Sequence, residues 1–251
     1  MDDRKPIAII AIALVVFLAG GAWLMSRRMA PKPAQNATPA AVTATEAPVS
    51  KAIADEPPVD LPPMNQMDAF LRPLLAGLSS RPELANWLAT DDLVGQLASA
   101  IDLASVGNSP ARDFKAVKPK GIFTATGRGA RRTIDPASYR RYDGLVQTVT
   151  SIDPAGVAKI YRTIRPRLNE AYHRMGNPTG DVGNALQKAI QVLLETPVVN
   201  DPIAIVEDDG AWAYADDELE GLLPTQKQLL RMGPANVERL LAWLRSLQAA
   251  L

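Results

Sequence analysis

Beyond residue 64 apolar residues recur every three or four positions, and they alternate with polar ones in only two short stretches. Met67, Phe70, Leu71, Leu74, Leu75 and Leu78 predict a helix over residues 65–78, which Pro73 should kink or divide. Residues 82–89 form a short helix around Trp87. Thr90 then caps a clearer helix, with Asp91 and Asp92 in its first turn and Gly107 at its end; its apolar face is Leu93, Val94, Leu97, Ile101 and Leu103. Asp135-Pro136 and Asp153-Pro154 repeat one start signal, a capping carboxylate followed by proline at the first helical position. The first of these helices runs through Tyr139, Tyr142, Leu145, Val146 and Val149. The second carries Val157, Ile160, Tyr161, Ile164, Leu168, Ala171, Tyr172 and Met175, with Lys159, Arg162, Arg165, Arg167 and Arg174 on its other face. Pro166 should bend it. A helix over residues 181–195 buries Val182, Leu186, Ile190, Val192 and Leu193. Two helices close the chain, one ending at Met232-Gly233 and one starting at Pro234 with Val237, Leu240, Leu241, Leu244 and Leu247.

The alternating stretches flank glycine turns. Residues 121–134 read as a β-hairpin around Gly127-Arg128-Gly129. Residues 203–206 and 211–214, separated by Glu207-Asp208-Asp209-Gly210, read as a second. No period of 20–50 residues recurs, so a solenoid is not expected. The expected fold class is mainly α: a multi-helix globular domain over residues 64–251 with one or two small hairpins.

Upstream the pattern changes. Ile7 to Met25 contains no charged residue. Nineteen residues give roughly 28 Å of helix, close to the ~30 Å hydrocarbon core of a bilayer. Ten of them are Ile, Leu, Val or Phe, which favours insertion. The run reads as an uncleaved transmembrane anchor after a cytoplasmic tail of residues 1–6. Arg4 and Lys5, with small residues at Ala19 to Ala22, leave a cleaved signal as the alternative. Lys and Arg near the helix ends lean toward a cytoplasmic C-terminal side, whereas the short N-terminal tail is the usual form of an exporting signal anchor. Residues 30–63 are rich in Ala, Pro and Thr and nearly free of large apolar side chains, so a disordered linker is expected there, about 30–35 Å in root-mean-square span.

Composition narrows the chemistry. The chain has no Cys, which excludes disulfides, thiolate metal sites and thiol catalysis. Its formal net charge is zero, yet residues 112–174 hold fourteen Lys and Arg against five acids, and residues 181–220 hold ten acids against Lys188 alone. The two stretches either face each other in the fold or form a bipolar surface. The single His, His173, lies three residues after Glu170, a spacing that serves a surface pair as well as a catalytic one. Glu207-Asp208-Asp209-Gly210 lacks the alternation and distal Glu of a calcium loop. Gly127-Arg128-Gly129 lacks the third glycine and the Lys of phosphate loops. No catalytic residue, metal site or cofactor is therefore expected. Residues 229–241 loosely resemble a helix–hairpin–helix, but Pro234 removes one phosphate-binding N–H.

Four blocks carry a family resemblance: Leu61-Pro62-Pro63 with Asp68-Ala69-Phe70; residues 135–143; Arg162-Thr163-Ile164-Arg165-Pro166 with Glu170-Ala171-Tyr172; and residues 224–234. Over about residues 61–251 the chain resembles an uncharacterised bacterial family, a domain of unknown function in membrane-anchored proteins mostly of proteobacteria. The resemblance implies one N-terminal anchor and a helical extracytoplasmic domain, and it implies no activity.

Together these observations predict a single-pass inner-membrane protein with a periplasmic C-terminal domain, more an interaction module than an enzyme. The expected partners are the membrane through Ile7–Met25 and an envelope protein or anionic polymer, with nucleic acid not favoured. The candidate surface is Tyr139, Arg140, Arg141 and Tyr142 with Arg162 and Arg165, where Arg would pair with anionic groups beside aromatic faces. The competing arrangement packs both tyrosines in the core and pairs these Arg with the acidic segment. Alternative functions are an envelope hydrolase using carboxylates or, for a cytoplasmic domain, a nucleic-acid-binding role.

Overall fold

The structure, a computed structural model, describes residues 60–110, 119, 121–129 and 132–251. The expected anchor at Ile7–Met25 lies outside these residues, as does all of the expected linker up to residue 59. Among the described residues no helix is long and apolar enough to cross a membrane.

A 3-10 turn over Met64–Gln66 leads into α1 (Met67–Ala76), α2 (Pro82–Trp87) and α3 (Leu93–Ser105). Strands β1 (Ala125–Thr126) and β2 (Thr133–Ile134) form the first hairpin. Then follow α4 (Pro136–Arg140), α5 (Asp143–Thr150), α6 (Pro154–Arg174) and α7 (Val182–Leu194). The second hairpin is β3 (Ile205–Asp208) with β4 (Ala211–Tyr214), and α8 (Asp217–Glu220), α9 (Pro224–Leu230) and α10 (Pro234–Ala250) complete the order. The described residues thus form a mainly helical globular unit of ten helices and two antiparallel hairpins.

The main core is built where α3 packs on α6 and α7, and where α10 packs on α5, α6 and α7. Leu93, Leu97, Ile101, Val157, Ile164, Leu168, Leu186, Ile190, Leu240 and Leu244 are all buried in it. Small residues let the axes approach: Ala98, Ala100 and Ala104 of α3 and Ala185 and Ala189 of α7 are buried as well. Leu103 is only half-buried and Met175 is exposed, so the periodic stripes run one position too far at their ends.

Several boundaries move for physical reasons. The cap of α3 is Asp92, not Thr90. Asp92 sits at φ 56 and accepts from the Gly95 N–H, while Asp68 of α1 takes the N–H groups of Asp92 and Leu93 at 2.7 and 2.8 Å. A carboxylate from another helix thereby supplies the negative charge that the N-terminus of α3 favours. The single helix expected from Pro136 to Val149 divides at Arg141-Tyr142 into α4 and α5. Conversely, α1 continues through Pro73 and α6 through Pro166. Both prolines lie on exposed faces of their helices. Asp135, Asp153 and Asp181 cap α4, α6 and α7 through their side chains, as the sequence signals require.

The hairpins are joined to each other. Thr133 pairs with Ala204, the Ile134 N–H donates to the Ile203 carbonyl and the Ile205 N–H to the Arg132 carbonyl. The second turn is tighter than expected: Asp209 (φ 53) and Gly210 (φ 77) form a two-residue loop with left-handed backbone at both positions. Ile134, Ile203, Ile205, Tyr214 and Leu230 make a small second core under the hairpins, separate from the main one.

Candidate functional site

The structure divides the six-residue candidate surface. Tyr142 is buried in the main core at 1 % exposure, and its hydroxyl accepts from Gln228 Nε2 at 3.1 Å. Burial pushes its phenol pKa up, against smaller opposing effects of Arg141 and Arg231. Tyr139 is half-buried, and its ring lies against Gly233 at the start of α10. Arg162 donates to the Ala250 carbonyl at 2.7 Å, at the other end of the same helix. Seventeen residues of helix separate these points, about 25 Å. The tyrosine cluster and Arg162 therefore do not form one surface.

Arg165 holds Asp181 through Nη2, at 3.0 and 2.9 Å from its two carboxylate oxygens. Desolvation works against the Asp181 carboxylate. The Arg165 hydrogen bond and the N–H groups of Asn184 and Gly183 outweigh it and hold its pKa below the usual carboxylate value. Arg132 pairs with Glu207 at 3.0 Å. Two ion pairs thus join the basic stretch of the chain to the acidic one, and each bridges parts of the fold distant in sequence.

Arg141 belongs to a different arrangement. Its Nε donates to the Ser138 carbonyl, and its guanidinium lies over the Phe123 ring at 5.7 Å and the Tyr142 ring at 5.5 Å. Phe123 meets Trp212 with ring centroids 6.2 Å apart at 50°. The Arg132 guanidinium lies 5.2 Å from the centre of the Trp212 ring. The sequence Arg132–Trp212–Phe123–Arg141 is one continuous stack, drawn from both hairpins and the α4–α5 turn. Ile122, beside it, is 86 % exposed, and Arg140 is exposed on α4. Ser138 fixes the geometry: it is buried and bonds both the N–H and the carbonyl of Thr124, stitching α4 to the segment before β1 that carries Phe123. Sequence reading identified Arg141 but missed Phe123, Arg132 and Trp212. The only signal was an aromatic residue in each hairpin; their meeting across about ninety positions is a property of the join between hairpins.

The remaining candidates resolve into structure. His173 Nε2 bonds the Gly180 carbonyl at 2.8 Å, so that nitrogen carries a proton. Glu170 pairs with Arg167 at 2.9 Å rather than orienting His173. In the helix–hairpin–helix-like turn, Met232 and Gly233 are buried and their N–H groups donate to Leu229 and Leu230. The Tyr139 ring lies against Gly233, so the N–H groups of Met232 and Gly233 are used inside the turn. Among the described residues no group of three or more His, Asp or Glu is placed to hold a metal.

The block over residues 224–234 is an internal hub. Gln226 donates to the Val192 carbonyl of α7 and accepts from the Leu223 N–H; Gln228 meets Tyr142; Tyr214 donates to the Lys227 carbonyl; Lys227 pairs with Glu220 at 2.6 Å. Burial drives the Tyr214 pKa far upward.

A family model described as a protein of unknown function (DUF3014) matches residues 93–248. No curated protein and no solved structure matches the chain.

Proposed function

This chain belongs to the DUF3014 family of proteins of unknown function, and from that premise we propose that it is a membrane-tethered, non-catalytic interaction module of the bacterial envelope, binding a protein or anionic polymer in the periplasm. The observation that carries the reading is the surface stack Arg132–Trp212–Phe123–Arg141. Arg132 already pairs with Glu207, so the anion-binding group is Arg141: held over the Phe123 and Tyr142 rings, its guanidinium keeps its charge while its motion is restricted, and it binds a carboxylate or phosphate at lower entropic cost than a free side chain. Arg140 and the exposed Ile122 extend the contact area on either side. The anchor expected at Ile7–Met25 would confine the module to one face of a membrane.

The test has two parts. A reporter fused to the C-terminus, active only on one side of the membrane, should read out in the periplasm; a cytoplasmic readout refutes the envelope role. Crosslinking of envelopes carrying the full chain should give adducts that disappear in an Arg132→Gln/Arg141→Gln double variant of unchanged helical content. Adducts that persist in the variant exclude the stack as the contact surface.

A further inference from the structure

The first residues of the described chain are fastened to the longest helix by one side chain. Arg167 of α6 donates from Nε to the Pro62 carbonyl and from Nη2 to the Leu61 carbonyl, both at 3.1 Å. Its Nη1 donates to Glu170 at 2.9 Å, so the fork is held in orientation by its own helix. Two consecutive carbonyls spaced along an extended strand suit a planar guanidinium, and the Pro63 backbone is extended (φ −60, ψ 157). Leu61 packs at the margin of the main core, and a groove lined by Asp60 to Pro63 with Gln66 and Phe70 separates the strand from α1. The block Leu61-Pro62-Pro63 is thus met by Arg167, a residue of the basic face of α6, which Glu170 holds in place.

We propose that Arg167 is a latch on the strand Asp60–Pro63, with a docked and a released state exchanging while the rest of the domain stays folded. The strand makes no ladder hydrogen bonds, and it is tied through one half-exposed arginine and one marginal leucine. Such a segment opens far more readily than the helices it lies on. Release frees residues 60–63, four residues that add up to about 13 Å to the reach of the chain preceding them. Docking instead delivers any pull on that chain to α6, which packs at the centre of the core, rather than to the 3-10 turn that leads into α1. The latch therefore sets both the reach of the domain and the point at which load enters it. The inference is independent of the proposed function, because it concerns only contacts within the described residues.

The absence of Cys makes the test direct. Spin labels at Asp60→Cys and Glu238→Cys in the full chain report the distance from the strand to exposed α10. The unaltered latch should give one narrow distance distribution. Arg167→Gln should add a broad, longer component of at least a third of the population, with the melting temperature within about 2 °C of the parent; Glu170→Gln should give a smaller fraction of the same component. A distribution that stays single and narrow in Arg167→Gln overturns the latch. So does a variant that loses helical signal and melts well below the parent, because Arg167 would then be part of the core's stability and not a release point.

Discussion

At the scale of single residues, the structure turns on positions whose importance is not hydrophobic. Gly233 adopts φ +79, and a Cβ there would sit 2.5 Å from a Tyr139 ring carbon. Gly233→Ala meets both a left-handed backbone and the Tyr139 ring, which packs against the second core. The expected loss is about 2–4 kcal/mol, read from denaturant midpoints. Asp181 supplies a pH prediction. Its folded pKa lies below the ordinary carboxylate value, so its contribution to stability is fully present above the unfolded value of about 4 and is lost as pH falls through the folded value. Asp181→Asn should therefore lower the melting temperature more at pH 7 than at pH 2. An equal loss at both pH values would show that the N-terminal cap of α7, not the Arg165 pair, is what the carboxylate supplies.

At the scale of elements, α9 decides how the two cores are joined. It has only seven residues, and Thr225, Gln226 and Gln228 are buried polar positions on it. An amphipathic helix reading would place such residues outside. Gln226 and Gln228 are inside because each meets a carbonyl, hydroxyl or N–H outside the helix, which offsets the cost of leaving water, whereas the buried Thr225 hydroxyl has no partner and only its backbone N–H is bonded, to the Gly107 carbonyl. Gln228→Leu should cost about 1–3 kcal/mol by leaving the Tyr142 hydroxyl without its donor in a buried site. The double variant Gln228→Leu/Tyr142→Phe should cost less than the sum of the two single changes, measured as a coupling energy in a double-mutant cycle. Additive losses would mean that the two side chains contribute by packing alone.

At the scale of the whole molecule, the small core of Ile134, Ile203, Ile205, Tyr214 and Leu230 is the part held by fewest apolar contacts. Its strands are two to four residues long. Amide exchange should therefore be faster in β1–β4 than in α3, α6 and α7, and Ile205→Ala should speed it in the hairpins while leaving α3 unchanged; uniform acceleration would show that both cores unfold together. Much of this architecture was legible along the chain. Asp-Pro starts, glycine ends and the spacing of threes and fours specify helices locally, because backbone hydrogen bonds and caps involve residues within four positions of one another. Glycine-centred alternation specifies the hairpins for the same reason. The division of α4 from α5 and the placement of the α3 cap at Asp92 were not legible, and the burial of Tyr142 was one of two arrangements the sequence left open. The tyrosine and the cap depend on partners far away in sequence, Gln228 and Asp68. Of the candidate surface Arg141 is a member of the stack, with the Tyr142 ring beneath its guanidinium; Arg162 and Arg165 hold Ala250 and Asp181 instead, and Trp212 enters from a hairpin the spacing could place but not orient. The sequence by itself thus determined the helical class, the capping signals, the absence of thiol chemistry and the family. Only the tertiary structure decided which charges are used internally and which reach the surface, because a guanidinium's partner is set by spatial proximity, and proximity between residues 123, 132, 141 and 212 exists only once both hairpins and the α4–α5 turn have packed.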